Sequence, residues 1–437
     1  MPVEAGNEEI LYVDVSLTWG SDTQTGIQRV VRQLVSNWHL SGAKISLVIF
    51  SGGVYRVLPN TALASFEKIY SSRLPKSATL RLSVWNRLLA PYKLAKPFLP
   101  TNIIASFLRT SFLQKVRRKR WQTWIPAESA VFNPNNAQIL LLDLVLDLEQ
   151  IDYLKRVVAE NGARLNFFCY DSNPITYPQY FPSELPEIFE DYISLAKYSE
   201  RVWSISKSAQ DDLIKVANLD MSESSFAYKW LPPFDFLECQ HSHLLANYDE
   251  KDDFILMVAS FVPSKNHLGF FQALENLNLQ GVRIPKIFLV GGMSWREDEI
   301  DSGIQRLSNQ GIHIEKFKNL PDCCVGKLYK SCSFVVLPSF IEGFGLPIVE
   351  GLNFGKPVVT STSTSMGELL DLPGTVGFSH AGDPTLETVL RRILGDGEFL
   401  RELAVSAKAN GENLGSWPEY AAAVLNFITN KPEESSL

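Results

Sequence analysis

Glu342-Gly343-Phe344-Gly345-Leu346-Pro347-Ile348-Val349-Glu350 is the stretch on which the reading of this chain turns. An apolar run, Phe334-Val335-Val336-Leu337, comes before it and ends in Pro338-Ser339. Gly355-Lys356-Pro357 and a second β-rich run, Val358-Val359-Thr360, come after. This order predicts strand, loop, short helix, strand. Pro347 suits the first helical position, where its missing N–H costs nothing, and Gly355 suits the helix C-cap. A glycine-rich loop lets the backbone approach a ligand closely. The helix behind it offers free N–H groups and the positive end of its dipole, which together attract anions. Glu342 lies before that helix and Glu350 about one turn inside it. A carboxylate beside a phosphate site accepts hydrogen bonds from sugar hydroxyls. The pattern therefore predicts a nucleotide-sugar site. An ordinary α/β domain also carries Gly and Pro punctuation, and glutamates in first helical turns often do no more than complement the dipole.

Read from Pro338 to Glu350 as Pro-Ser-x-x-Glu-Gly-Phe-Gly-Leu-Pro-x-x-Glu, the string resembles the Glu-x7-Glu signature of the retaining family 4 glycosyltransferases. Every defining position is present. The resemblance implies an α/β chain of GT-B type: two doubly wound Rossmann-like domains facing a central cleft, with a C-terminal helix returning to the N-terminal domain. Apolar runs alternating with helical patterns give the same rhythm. Expected strands in the first half are Ile10–Val13, Ile45–Phe50, Ile139–Leu142, Arg164–Phe168 and Arg201–Ile205, with helices at Gly26–Leu40 and, capped by Ser206, Lys207–Val216. The second half offers strands at Phe254–Val258, Lys286–Val290, His313–Glu315, Phe334–Leu337 and Val358–Ser361, and late helices at Leu386–Leu394, Glu398–Asn410 and Pro418–Thr429. The expected domains are 1–235 (acceptor-binding) and 252–415 (nucleotide-sugar-binding), joined by a linker at 236–251, with 416–437 crossing back.

Other segments supply further candidates. Val258-Ala259-Ser260-Phe261-Val262-Pro263-Ser264-Lys265-Asn266 follows a strand, at the sheet edge where open α/β sheets bind ligands. It resembles the family's Gly-x-x-x-Pro-Arg-Lys-Asn stretch, which implies that Lys265 contacts the donor diphosphate and that Ser260 lies nearby. Ala259 and Ser264 depart from the family's Gly and Arg. Thr25-Gly26-Ile27-Gln28-Arg29 resembles the family's Gly-Ile-Gly-Arg-Tyr element, with Gly26 at the mouth of the first helix. Tyr170-Asp171-Ser172-Asn173-Pro174 resembles the His-Asp-Leu-Ile-Pro stretch. Asp171 keeps the family residue, while Tyr170 replaces a histidine and cannot serve as a base near neutral pH; Asp171 alternatively caps the following turn. Gly291, after a strand, is expected to border the nucleotide. The catalytic candidates are thus Glu342, Lys265, Asp171 and Tyr170. The donor-binding candidates are Gly26, Ser260, Lys265, Gly291, Phe344, Gly345, Leu346, Pro347 and Glu350.

At 437 residues two domains are natural. A net charge of −7 excludes a general nucleic-acid binder. Five cysteines without C-x-x-C spacing argue for a reducing cytosol. The polar start, Met1 to Glu9, argues against a secretory signal, and no apolar run reaches the length of a membrane span. From Ser71 to Ala127, however, there are twelve Lys or Arg and no Asp or Glu, interleaved with aromatic residues. This insert, with Arg117, Arg118, Lys119, Arg120 and Trp121, predicts contact with an anionic membrane surface; a solvated hairpin is the alternative. The six histidines form no metal-ligand array, so no metal and no cofactor beyond the donor substrate are expected.

The sum is a cytoplasmic, peripheral-membrane, metal-independent hexosyltransferase in polysaccharide biosynthesis. Its expected partners are a nucleotide sugar, with a mannose-type hexose favoured, and a lipid-linked saccharide acceptor. A GT-B nucleotide-sugar epimerase and a non-catalytic nucleotide-sugar-binding protein are the alternatives.

Overall fold

The computed structural model describes residues 10–19, 25–63 and 125–429, apart from 221, 223, 237, 240, 246–247, 249–252, 293 and 412. Nearly all of the basic insert, including Arg117, Arg118, Lys119, Arg120 and Trp121, lies outside the described residues. Two compact units divide the chain. One comprises Met1–Phe168, Glu190–Arg201 and Ile428–Leu437; the other comprises Cys169–Phe189 and Val202–Phe427.

The first sheet is built on β1 (Leu11–Asp14), β2 (Ile45–Ser51), β5 (Gln138–Leu141) and β6 (Arg164–Cys169), which pair in parallel. β3 (Val54–Val57) and β4 (Ala130–Val131) extend it antiparallel. With β7 (Ser199–Ser204) and β8 (Ser225–Tyr228) the order is β4-β3-β2-β1-β5-β6-β7-β8. Gly52 and Gly53 close the β2–β3 hairpin with φ of +65° and +82°, which is the pair of left-handed residues that a two-residue turn of this twist needs. The Gly26–Leu40 helix begins where expected. Thr25 and Gln28 form its capping box, and Val30, Val31, Leu34, Val35 and Trp38 are buried along one stripe.

The second sheet is parallel throughout, with β9 (Phe254–Val258), β10 (Lys286–Gly291), β11 (Ile314–Lys318), β12 (Phe334–Leu337), β13 (Val358–Ser361) and β14 (Thr375–Phe378). Their order is β11-β10-β9-β12-β13-β14. Numbered within the sheet this is 3-2-1-4-5-6, so the winding reverses between β9 and β12. These strands read as continuous apolar runs because helices cover both faces. Ile255, Met257, Ile287, Leu289, Phe334 and Val336 meet Phe270, Phe271, Leu274 and Leu390 in one core.

The last helix, Trp417–Thr429, returns to the first sheet. Trp203 of β7 donates from Nε1 to Tyr420 Oη at 2.9 Å, and Gln138 of β5 donates from Nε2 to the Ile428 carbonyl at 2.7 Å. Trp417 Nε1 donates to the Pro233 carbonyl at 3.0 Å.

Candidate functional site

The loops that leave β9 and β12 flank the point where the second sheet reverses direction, the place where such sheets bind ligands. The β9 loop ends in a tight turn, Pro263–Lys265, followed by Asn266 in the left-handed region. Asn266 caps the next helix by accepting from Gly269 N at 3.1 Å. The β12 loop is joined to it through Phe340 N, which donates to the Ser264 carbonyl at 2.8 Å. Ser264 is buried, so this backbone bond explains its place better than a lost cation does.

Across that junction Lys265 Nζ meets Glu342 Oε2 at 2.7 Å, with 19% and 14% of the two side chains exposed. Ser339 Oγ donates to Glu342 Oε1 at 2.7 Å. Lysine and carboxylate, 77 residues apart in sequence, thus hold each other at the sheet edge. Both remain open enough to exchange this partner for a ligand's.

Hydroxyls then fasten the loop backbone. Ser365 Oγ lies 3.0 Å and 2.9 Å from the carbonyl oxygens of Glu342 and Phe344, and Ser206 Oγ donates to the Gly343 carbonyl at 2.8 Å. Gly345 has φ +107°, a conformation closed to side chains without strain. It stands at the N-cap of the Leu346–Asn353 helix, so Pro347 falls one position later than the sequence pattern predicts, still within the first turn. Gly343 is needed for a different reason. A Cβ there would come 2.6 Å from the Tyr170 carbonyl and 3.0 Å from Asp171 Oδ2. Two sequence-predicted segments are therefore in contact, Tyr170-Asp171 and the signature loop.

Asp171 is half-buried, and desolvation pushes its carboxyl up to about 6. The Asn173 N–H, which donates to Oδ1 at 3.0 Å, and the Lys265 charge act against the burial, while Glu342 and Asp212 add to it. The cap expected of Asp171 is thus present as well as its place beside the loop. Tyr170 is 3% exposed, and it is its backbone carbonyl that faces Gly343.

Glu350 occupies a different environment. It is 1% exposed, and its Oε2 accepts from Tyr329 Oη at 2.8 Å. Tyr329 is stacked on Phe354, with rings 5.7 Å apart and 5° from parallel. Phe344 is a core residue, whereas Leu346, Pro347 and Ser260 are half-buried. Gly291 closes β10 against the β9 loop: a Cβ there would lie 2.2 Å from the Ala259 carbonyl, so backbone packing requires this glycine. Gly26, exposed at the start of its helix, belongs to the other unit.

Several neighbours were not legible in the sequence. His380 Nε2 is 3.0 Å from the Ser339 carbonyl, and its ring lies 4.6 Å from that of Phe340. Tyr180 stacks on Phe340 at 5.0 Å. The Glu368 carboxylate accepts from Lys207 N, Ser208 N and Trp230 Nε1 at 3.1, 2.5 and 3.1 Å, which places its negative charge on the N-terminus of the Lys207–Ala217 helix.

The candidate site is thus an ion pair at the reversal of a parallel sheet, beside a glycine loop and a helix start. Comparison with known proteins narrows the class. Residues 246–382 match the family model described as glycosyl transferases group 1. The O-antigen chain mannosyltransferase B of Escherichia coli is 24% identical over 265 residues, 59% of this chain and 68% of that protein. Further mannosyltransferase relatives are matched over 33% and 38% of their own length. Among solved structures, sucrose-phosphate synthase from Thermosynechococcus elongatus superposes with a TM-score of 0.61 at 13% identity, covering 96% of this chain and 98% of that one. Anabaena Alr3699/HepE in complex with UDP-glucose gives 0.59 at 15% identity, covering 96% and 99%. The second unit thus carries the group 1 glycosyltransferase match, and the chain shares the two-domain GT-B fold of these solved structures.

Proposed function

We propose that this chain transfers a hexose, mannose before others, from a nucleoside-diphosphate sugar to a hydroxyl of a surface-glycan acceptor, with retention at the anomeric carbon. The observation that carries the reading is the Lys265–Glu342 pair at the reversal of the second sheet. Its two members have the chemistry the donor demands: an ammonium for the diphosphate and a carboxylate for sugar hydroxyls. The full family 4 signature supports retention. The O-antigen mannosyltransferase relative supports the sugar and the setting, and the UDP-glucose bound by a protein of this fold supports the donor class.

In this mechanism Lys265 turns from Glu342 to the diphosphate, and Glu342 turns to the transferred sugar. The bond from the anomeric carbon to the diphosphate oxygen breaks, and its electron pair stays on the diphosphate. The acceptor oxygen bonds to the same face, and its proton passes to the departing diphosphate. Lys265 and the N–H groups opening the Leu346–Asn353 helix stabilise the charge that develops. Glu350, steadied by Tyr329, holds the ribose diol. No divalent ion takes part, so added Mg2+ or Mn2+ should leave the turnover number unchanged.

A thermal-shift panel of nucleoside diphosphates, followed by turnover with the matching sugars, tests the proposal. One diphosphate should stabilise the chain, and its hexose should appear in a lipid or glycan fraction. Stabilisation without transfer, but with a changed free sugar, would point to an epimerase. No response to any nucleotide would sink the reading.

The basic insert supports an acceptor at a membrane face, since its charges suit anionic lipid. Among the described residues no helix is long and apolar enough to cross a membrane.

A further inference from the structure

Away from the ion pair, Cys239 converges on the distant pair Cys323-Cys324, and His241 lies against Cys323. The Sγ atoms of Cys239, Cys323 and Cys324 all lie within 4.8 Å of one another. His241 Nδ1 is 3.5 Å from Cys323 Sγ, and Cys239 Sγ is 3.2 Å from Cys324 Sγ. All four residues belong to the second unit. Sequence spacing could not show this, because no C-x-x-C is present and 84 residues separate Cys239 from Cys323.

We infer that Cys239, Cys323, Cys324 and His241 form a structural Zn2+ site that pins the segment around Cys239 and His241 to the Asp322–Ser331 helix. A tetrahedral zinc with Zn–S of about 2.3 Å and Zn–N of about 2.0–2.1 Å sets S···S near 3.8 Å and S···N near 3.5 Å. The His241–Cys323 separation already has that value. Cys239 and Cys324 need to part by roughly half an ångström, a small side-chain rotation. A Cys239–Cys324 disulfide would need an approach to about 2.05 Å, and it would leave Cys323 and His241 unused. The three thiolates are gathered already, and the His241 imidazole, which lies against Cys323, would turn toward the other two to close a structural set with no position open for chemistry.

The surroundings show what the clamp would hold. A Cβ at Gly326, on the same helix, would come 2.4 Å from Phe236 Cβ, so the chain just before Cys239 lies directly on the helix. Phe236 also packs on Tyr329 and Phe354, at 5.7 Å from each ring. Tyr329 is the residue that donates to Glu350. A metal at Cys239 and Cys323 would thus fix the helix that positions a donor-site carboxylate, from outside that site.

The test uses the full chain, purified under reductant from zinc-supplemented cells. Elemental analysis should find about one zinc per chain. Exchange with Co2+ should give a thiolate-to-cobalt charge-transfer band and tetrahedral d–d bands. Cys239→Ser and His241→Ala should each lose the metal, while His243→Ala keeps it. Stripping with chelator should lower the melting temperature of the wild type by several degrees and leave that of Cys239→Ser unmoved. Cobalt titration of the wild type decides the matter even where a variant fails to fold. A reduced chain that takes up neither ion overturns the site, whether or not it forms a disulfide on oxidation, and so does full metal retention in Cys239→Ser.

Discussion

Glu342 and Glu350 are eight residues apart and sit in different media. Glu342 is paired with Lys265 at a partly exposed edge, and Glu350 is interior and held by a phenol. Substitution should separate them. Glu342→Ala should leave nucleoside-diphosphate affinity nearly intact while turnover falls about a hundredfold or more, since its proposed partner is the sugar. Equal losses for diphosphate binding and turnover would show the assignment to be wrong. Glu350→Ala should weaken the diphosphate itself by roughly ten- to hundredfold, because hydrogen bonds to a charged acceptor contribute about 1.5–3 kcal/mol. Calorimetry with unchanged affinity would remove Glu350 from the site. Gly343→Ala tests the contact between segments. Its methyl meets a backbone carbonyl at 2.6 Å, which cannot swing aside as a side chain would, so the melting temperature should fall by several degrees. A variant as stable as the wild type would mean that the loop and the Tyr170 turn separate freely.

At the scale of elements, the carboxyl ends of β1 and β5 carry two buried acids. Asp14 accepts from Ser16 N, Tyr55 Oη and Gln150 Nε2 at 2.9, 2.9 and 2.8 Å. Asp143 accepts from Thr18 N and Thr18 Oγ1 at 2.5 and 3.1 Å. Burial pushes their carboxyls up, to about 6 and about 7. Between the ordinary carboxylate value and these raised ones the folded chain binds more protons than the unfolded, so each acid lowers stability as pH rises through that interval. The melting temperature of the wild type minus that of Asp143→Asn should therefore fall from pH 4 to pH 7. A difference that is flat across this range would exclude a raised Asp143.

Elements were legible wherever period and punctuation agreed. The Gly26–Leu40 helix and the strands Phe254–Val258, Phe334–Leu337 and Val358–Ser361 have the limits the sequence predicts. The β2–β3 hairpin falls outside the expected strands although Gly52-Gly53 is a strong turn signal, because β3 is only the four residues Val54–Val57, with Arg56 among them. The Leu148–Asn161 helix was missed too, despite an Asp147 cap and Gly162 at its end. Lys265 and Glu342 were readable from their local strings. Tyr329, Glu368 and His380 were not, since their bonds to the site depend on packing between distant segments.

For the whole molecule, charge is the property that sequence reveals and fold does not. Net −7 overall with twelve cations and no acid from Ser71 to Ala127 is a strong segregation. Neutralising Arg117, Arg118, Lys119 and Arg120 should remove several kcal/mol of attraction to an anionic leaflet, at about 1 kcal/mol for each well-placed cation. Sedimentation with anionic vesicles at low salt should therefore collapse in that variant while nucleotide binding persists. Wild-type protein that stays in the supernatant would leave only the solvated-hairpin reading. The cysteine cluster shows the opposite case, a site visible only once the chain is folded. The return of the final helix also bears on how this protein is made. Gln138 in the middle of the first sheet finds its partner in Ile428, and Trp203 finds its partner in Tyr420. A ribosome releases the amino-terminal half long before either partner has been synthesised, so the usual order of domain-by-domain folding during translation is interrupted here. The first sheet must wait, with a buried amide and an indole uncovered, until the Trp417–Thr429 segment has been synthesised. Chains stalled or cut short of Trp417 should be the ones that chaperones retain and proteases remove.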